Sequence, residues 1–373
     1  MSSTRTRPVQ SRSKFLKIGG IAAAIFLITL GIFASNGWLP STDPMTGRKT
    51  GWFGKTLPKN ATSAWNPFPP PSPTPQLSKE YIYAGSRLLA VEDANATAAP
   101  PADIALWRGS NGYWYVQGQT GSANTTFQFG ASGDIPTPGD FDGDGKTDFA
   151  VYRPDTGSHT GTWWIYFSDG SGYTATQYGN DTDTPVHADY DGDGKTDLAV
   201  YRSSNQTFYI LGSTAGSISQ AFGNSGDIPA SADYDGDGRA DIATYRTSNE
   251  YFYYISSATG SSISINFGET GDKVVSSDYD GDGKADPAVF VNSSAYWHIL
   301  PSTTNSVSSV QWGSSGDTPV QNDYEGDGKT DIATWHPLSS DSVWSIKKSS
   351  TGTTRTEYWG STGDIPVPAF YRR

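Results

Sequence analysis

Six times after residue 100 the chain repeats one phrase: an Asp, a variable residue, Ala, a hydrophobic residue or Thr, then an aromatic. The copies are Asp103-Ile-Ala-Leu-Trp107, Asp148-Phe-Ala-Val-Tyr152, Asp197-Leu-Ala-Val-Tyr201, Asp241-Ile-Ala-Thr-Tyr245, Asp286-Pro-Ala-Val-Phe290 and Asp331-Ile-Ala-Thr-Trp335. They stand 45, 49, 44, 45 and 45 residues apart. Each is followed by an aromatic strand such as Tyr113-Trp-Tyr-Val116 or Trp163-Trp-Ile-Tyr166, then by a strand ending in an aromatic-Gly pair such as Phe129-Gly130 or Trp359-Gly360. A turn of the type Gly226-Asp227-Ile228-Pro229 restarts the cycle. Four short strands in about 45 residues make a propeller blade, and radial stacking of such sheets buries both of their faces. The 42 Gly and 23 Pro, with 12 + 21 + 16 = 49 aromatics, agree with short strands joined by many turns.

The predicted fold is therefore all-β, a six-bladed β-propeller with four-stranded blades. The chain enters at Asp103 without a first strand and finishes on Gly363-Asp-Ile-Pro-Val-Pro-Ala-Phe-Tyr371, which reads as the missing one. Three strands from the start and one from the end make the sixth blade, closing the ring and removing exposed edges. An open β-solenoid, or a seventh blade built from residues 76 to 99, are the alternatives.

Between the first and second strands of five units lies an acidic nonapeptide: Asp140-Phe-Asp142-Gly-Asp144-Gly-Lys146-Thr-Asp148, Asp189-Tyr-Asp191-Gly-Asp193-Gly-Lys195-Thr-Asp197, Asp233-Tyr-Asp235-Gly-Asp237-Gly-Arg239-Ala-Asp241, Asp278-Tyr-Asp280-Gly-Asp282-Gly-Lys284-Ala-Asp286 and Asp323-Tyr-Glu325-Gly-Asp327-Gly-Lys329-Thr-Asp331. Carboxylates at positions one, three, five and nine wrap around one point, and the Lys or Arg at seven can add its backbone carbonyl. Oxygen donors in a flexible loop suit Ca²⁺ better than Zn²⁺ or strictly octahedral Mg²⁺. An EF-hand is excluded, because position twelve is Val151, Val200, Thr244, Val289 or Thr334, and the flanks are strands. Four carboxylates about 5 Å apart repel by roughly 20 kcal/mol at an effective dielectric near 20. A whole domain is stable by only about 5–15 kcal/mol, so an ion-free loop must rearrange or take up protons. Five structural calcium ions are expected, with Glu325 making the fifth site weaker or different. The formal charge of −12 would then become −12 + 10 = −2.

These loops, the Asp-hydrophobic-Ala strand after them and the aromatic-Gly pairs resemble the FG-GAP/VCBS repeats of integrin α-subunit propellers and of many exported bacterial proteins. The resemblance covers residues 101 to 373. It implies that the loop carboxylates hold calcium and that the propeller recognises a protein or a sugar, without naming the ligand. Integrin-type rings have seven units where this chain has six.

Residues 1–14 form a basic tail, and 15–34 read as a transmembrane anchor or signal segment. Ile18 to Ala34 are seventeen uncharged residues, reaching roughly 26 Å as a helix, and Phe15 and Leu16 extend them. Ile32 at the position three before Ala34 is a poor cleavage signal, so an uncleaved anchor is favoured over a cleaved signal peptide. Either way, the chain beyond Ala34 is expected to be exported. Residues 35–100 form a linker, with six prolines among the nine residues from Pro67 to Pro75, suited to an extended spacer or, less simply, an SH3-type ligand. A possible hairpin at 80–93 resembles one phrase of the tyrosine-aspartate (Rhs-type) repeats.

Complete absence of Cys excludes disulfides, thiol nucleophiles and Cys-ligated metals. Net negative charge argues against a nucleic-acid partner. His159, His187, His298 and His336 fall at unrelated blade positions, and no nucleophile elbow or paired catalytic acids are apparent, so the chain is expected not to be an enzyme. The expected function is a membrane-anchored cell-surface binding or adhesion module for an extracellular protein or glycan. A lectin-like module is the alternative, and its sugar site would use aromatics outside the repeat phase.

Overall fold

In the computed structural model, the described residues are 101–118, 123–269, 272–369 and 371, together with four short strands nearer the N-terminus. The chain divides into two units, Met1–Ala96 and Thr97–Arg373. In the first, Ser41–Thr42 pairs with Lys49–Thr50, and Glu80–Ala84 pairs antiparallel with Arg87–Glu92. The expected hairpin is thus present as a two-stranded sheet of its own and contributes no seventh blade. The proposed anchor at 15–34 lies outside the described residues, among which no helix is long and apolar enough to cross a membrane.

The second unit is a ring of six four-stranded antiparallel blades. In the second blade the strands run in order Thr184–Pro185, Leu198–Arg202, Thr207–Gly212 and Gly216–Ala221. Burial is greatest in the second strand and falls outward from it, while the innermost pair, Thr184–Pro185, is exposed to half-buried. Leu198 to Tyr201 are buried on both faces, Thr207–Gly212 alternates in its first four residues, and Gly216–Ala221 is exposed throughout. This gradient explains why Ala-Val-Tyr runs occupy the second strand, whereas the outermost strand carries Ser and Gln. Hydrophobic residues cluster between blades, one cluster to each of the six seams. Tyr152 and Trp163 of the first blade, for example, pack with Leu198 and Val200 of the second.

Ring closure works as the chain ends suggest. Asp364–Pro366 becomes the innermost strand of the sixth blade, pairing Asp364 with Arg108, Ile365 with Trp107 and Pro366 with Leu106. Asp103 bridges Ala369, as Asp148 bridges Gly139. Tyr371 then takes the place of the position-two aromatic. Its hydroxyl donates to Val367 O at 2.8 Å, as Tyr234 donates to Ala230 O at 2.7 Å. The closing blade therefore keeps the loop's aromatic anchor and, in Asp103, the position-nine acid, with Arg372 in place of the acid at position three.

At the blade end opposite the acidic loops, the turn Asp is buried and paired. Arg153 binds Asp134 at 2.7 Å, Arg202 binds Asp183 at 2.8 Å, Arg246 binds Asp227 at 2.8 Å and Arg108 binds Asp364 at 2.5 Å. Each of these guanidinium groups also lies over an aromatic ring of the next strand; Arg246, for instance, is 4.3 Å from the Tyr253 centroid. His336 substitutes for Arg on Asp317, at 2.7 Å, and in the fourth blade Val291 leaves Asp272 without that partner. Truncation after Ser361 removes the closing strand together with the Arg108 ion pair. We expect a loss of at least about 3 kcal/mol in denaturant unfolding and concentration-dependent association through the freed edge, read by gel filtration.

Candidate metal centres

Each acidic loop joins the innermost strand of a blade to the second, and the turn between the third and fourth strands folds over it. Position one closes the loop on itself. Asp140 accepts from Gly143 N at 2.7 Å and from Gly145 N at 2.8 Å, and the two glycines have φ of +77° and +84°. Position nine ties the loop to the overlying turn. Asp148 Oδ2 accepts from Phe141 N at 2.8 Å while its Oδ1 accepts from Ser168 N at 2.8 Å, and Asp197, Asp241, Asp286 and Asp331 repeat both bonds. Position five is held by its own loop and by the same turn residue. Asp193 accepts from Lys195 N at 2.9 Å and from Ser213 Oγ at 2.6 Å.

Three carboxylates converge to within 4.8 Å in four of the loops: Asp140, Asp142 and Asp148; Asp189, Asp191 and Asp197; Asp233, Asp235 and Asp241; Asp278, Asp280 and Asp282. Asp144, Asp193 and Asp237 stand outside these trios, and in the fourth loop Asp286 does so instead. Among the described residues the fifth loop forms no such group. Its Glu325 accepts from Ser350 Oγ at 2.8 Å, the contact that Asp191 and Asp280 make with Thr214 and Thr303, and pairs in addition with Lys348 at 3.3 Å.

Two observations bear on what these clusters can hold. Asp191 Oδ1 and Asp280 Oδ1, both at position three, are buried and have no hydrogen-bond partner. Burial also raises the position-nine carboxyls. Asp148 and Asp286 are held at about 6 against an ordinary 3.8, and Asp197, Asp241 and Asp331 move the same way. Three carboxylates at this spacing repel by about 10 kcal/mol at an effective dielectric near 20. Such a set is suited to a hard divalent cation.

The residues at seven have a role that the repeat did not disclose. The side chains of Lys195, Arg239, Lys284 and Lys329 cover the preceding blade's loop. A Cβ added at Gly192 would lie 2.7 Å from Arg239 Cγ, and one at Gly143, Gly236 or Gly281 would meet Lys195, Lys284 or Lys329 within about the same reach. The loops are also joined through the backbone. Thr196 N donates to Asp140 O at 2.6 Å, Ala240 N to Asp189 O at 2.6 Å, Ala285 N to Asp233 O at 2.6 Å, Thr330 N to Asp278 O at 2.7 Å and Ala102 N to Asp323 O at 2.7 Å. The capping residues Ser168, Ser213, Ser257, Ser302 and Ser349 were missed as well, although a Ser recurs after the third strand in all five blades. Of the histidines, His187 is buried against Pro138 O at 2.9 Å and has its pKa lowered by burial, while His298 contacts Ser309 at 2.8 Å.

The FG-GAP-like repeat model matches residues 140–200 and 189–244. That stretch contains the first three acidic loops. No curated protein matches the chain in sequence. Among solved structures, virginiamycin B lyase from Staphylococcus aureus is similar at 7% identity and TM-score 0.43, covering 70% of this chain and 86% of its own. A streptogramin B lyase structure is similar at 11% identity and TM-score 0.43, covering 73% and 88%. BBS1N in complex with ARL6DN is similar at 11% identity and TM-score 0.43, covering 74% and 92%. Such distant likenesses carry no activity to this chain. The expectation that it is not an enzyme is nevertheless corrected, because enzymes stand among the similar structures.

Two outcomes are expected from the loop geometry. Gly192→Ala forces a side chain into φ +79° against Arg239, and should cost about 1–2 kcal/mol in denaturant unfolding. Chelator-treated protein should show an inverted pH dependence. A carboxyl raised above its unfolded value stabilises the fold at low pH and loses that contribution as pH rises through the folded value. The melting temperature without divalent ions should therefore fall between about pH 4 and pH 6. His187 works in the opposite sense, but as one group against five position-nine acids.

Proposed function

We propose that this chain is a calcium-stabilised propeller serving as a binding or adhesion module outside the cytoplasm, anchored by residues 15–34 and held off the membrane by the proline-rich linker. The observation that carries the calcium reading is the pair of buried, unpartnered oxygens, Asp191 Oδ1 and Asp280 Oδ1, each within a trio of carboxylates. Trios at positions one, three and nine in the first three loops, and at one, three and five in the fourth, would hold the ions. The all-oxygen donor set favours Ca²⁺ over Zn²⁺. A bound cation would offset the carboxylate repulsion and keep each loop folded under its serine cap. Four ions would bring the net charge from −12 to −12 + 8 = −4.

A binding role is supported by the build: a rigid ring on a spacer presents fixed surfaces at both ends of its blades. A carbohydrate ligand is the second reading, favoured by one exposed aromatic that stands outside the repeat pattern, Tyr358. Metal analysis of the purified chain should find about four calcium ions per molecule. Chelator should lower the melting temperature by several degrees, and added Ca²⁺ should restore it. An ion content near zero, or a melt indifferent to chelator, would sink the proposal.

A further inference from the structure

A cleft of about 310 Å³ opens at the seam between the fifth and closing blades, at the end opposite the acidic loops. Arg108, Tyr115, Asp341, Tyr358, Trp359 and Asp364 border it. We propose that this cleft binds a neutral saccharide, one ring of which stacks on Tyr358. The inference rests on the carbohydrate-binding reading above and gives it a site.

The fifth blade departs from the repeat on both walls of this cleft. Where Tyr358 stands, the other blades carry Gln128, Gln177, Ala221, Asn266 and Gln311. The turn between its second and third strands is two residues longer than that of the second blade, since His336 to Trp344 spans eight positions and Arg202 to Phe208 six; the first blade's is longer still, Arg153 to Trp163 spanning ten, but that blade has Gln177 where Tyr358 stands. That insertion brings Ser339, Ser340 and Asp341 to the rim. The other seams lack this pair of features, so core packing common to all blades cannot account for it.

Tyr358 is 64% exposed, whereas the repeat-phase tryptophans Trp107, Trp114, Trp163, Trp297 and Trp344 are fully buried. Tyr173 is equally exposed, but it stacks on Trp164 at 6.0 Å. An exposed aromatic face beside fixed polar groups suits a sugar, whose ring has an apolar face and a polar rim. The polar groups here are already in place. Arg108 is clamped by Asp364 at 2.5 and 2.8 Å, donates to Ser361 Oγ at 3.1 Å and lies 4.7 Å from the Tyr115 ring centre. Trp359 adds a buried indole N–H that has no partner, although the corresponding Trp312 N–H reaches Ser345 O at 2.9 Å. One Arg against two Asp leaves the border negative, which disfavours acidic sugars and selects neutral ones.

The test is calorimetric titration of the full chain, in calcium buffer, with chitotetraose, cellotetraose and mannotetraose, and with tetragalacturonate as the acidic contrast. At least one neutral tetrasaccharide should saturate the protein, and tetragalacturonate should not. Tyr358→Gln installs the residue found in three other blades, so the fold should survive, and affinity should fall at least about tenfold. Tyr358→Phe should retain binding. No binding of any neutral probe, or equal binding by Tyr358→Gln, would overturn the proposal. Melting the same samples with and without chelator reads the calcium sites separately, so either reading can fail while the other stands.

Discussion

Five buried carboxylates hold the blades together at one end: Asp148, Asp197, Asp241, Asp286 and Asp331. Each accepts one backbone N–H from its own loop and another from the turn above the third strand, so each fastens two segments that local strand pairing alone would leave apart. An Asn at this position would present only one acceptor oxygen to two donors. Burial makes these acids reluctant to ionise, yet the trios that Asp148, Asp197 and Asp241 help to form call for charge. A bound cation would resolve that conflict without giving up either hydrogen bond, which ties the proposed metal sites to the fold.

How much of this was legible in the sequence depends on whether a feature lies within one repeat or between two. Strand order, blade count and closure by Asp364–Pro366 are encoded inside single units, and the six copies expose them. The acids at positions one, three and nine were equally plain, because their spacing is set by one tight turn. Contacts between successive units left little trace. Lys195 covering Gly143, or Thr196 donating to Asp140, joins residues about 50 positions apart whose identities merely look like parts of the motif. Tyr371 was passed over because the acids that usually surround such an aromatic are missing there. The fifth loop was flagged by Glu325, which keeps the contact that Asp191 makes with Thr214 and Asp280 with Thr303, here with Ser350, and adds the ion pair with Lys348.

Departures from the repeat are more informative than the repeat itself. The fourth blade gives up the Arg that pairs with the turn Asp elsewhere and leaves Asp272 with its carboxyl raised by burial. The fifth uses His336 instead, lengthens the adjacent turn and exposes Tyr358. Neither the lost Arg nor the exposed Tyr is needed for a propeller, since the first three blades keep the Arg and carry Gln177, Ala221 and Asn266 where Tyr358 stands. Selection on something other than folding is the simplest physical account of a blade that keeps its core, as Trp335, Trp344 and Ile346 do, while altering its rim.

The backbone bonds from each loop to the next have a mechanical consequence. Asp140 uses its carboxylate to shape its own loop and its carbonyl to hold Thr196 of the following one, and the same pattern continues from blade to blade until Asp323 holds Ala102. The acidic loops are therefore links of one belt running around the ring. Slack introduced at any link is passed to its neighbours, so this end of the molecule should tighten or loosen as a whole rather than blade by blade.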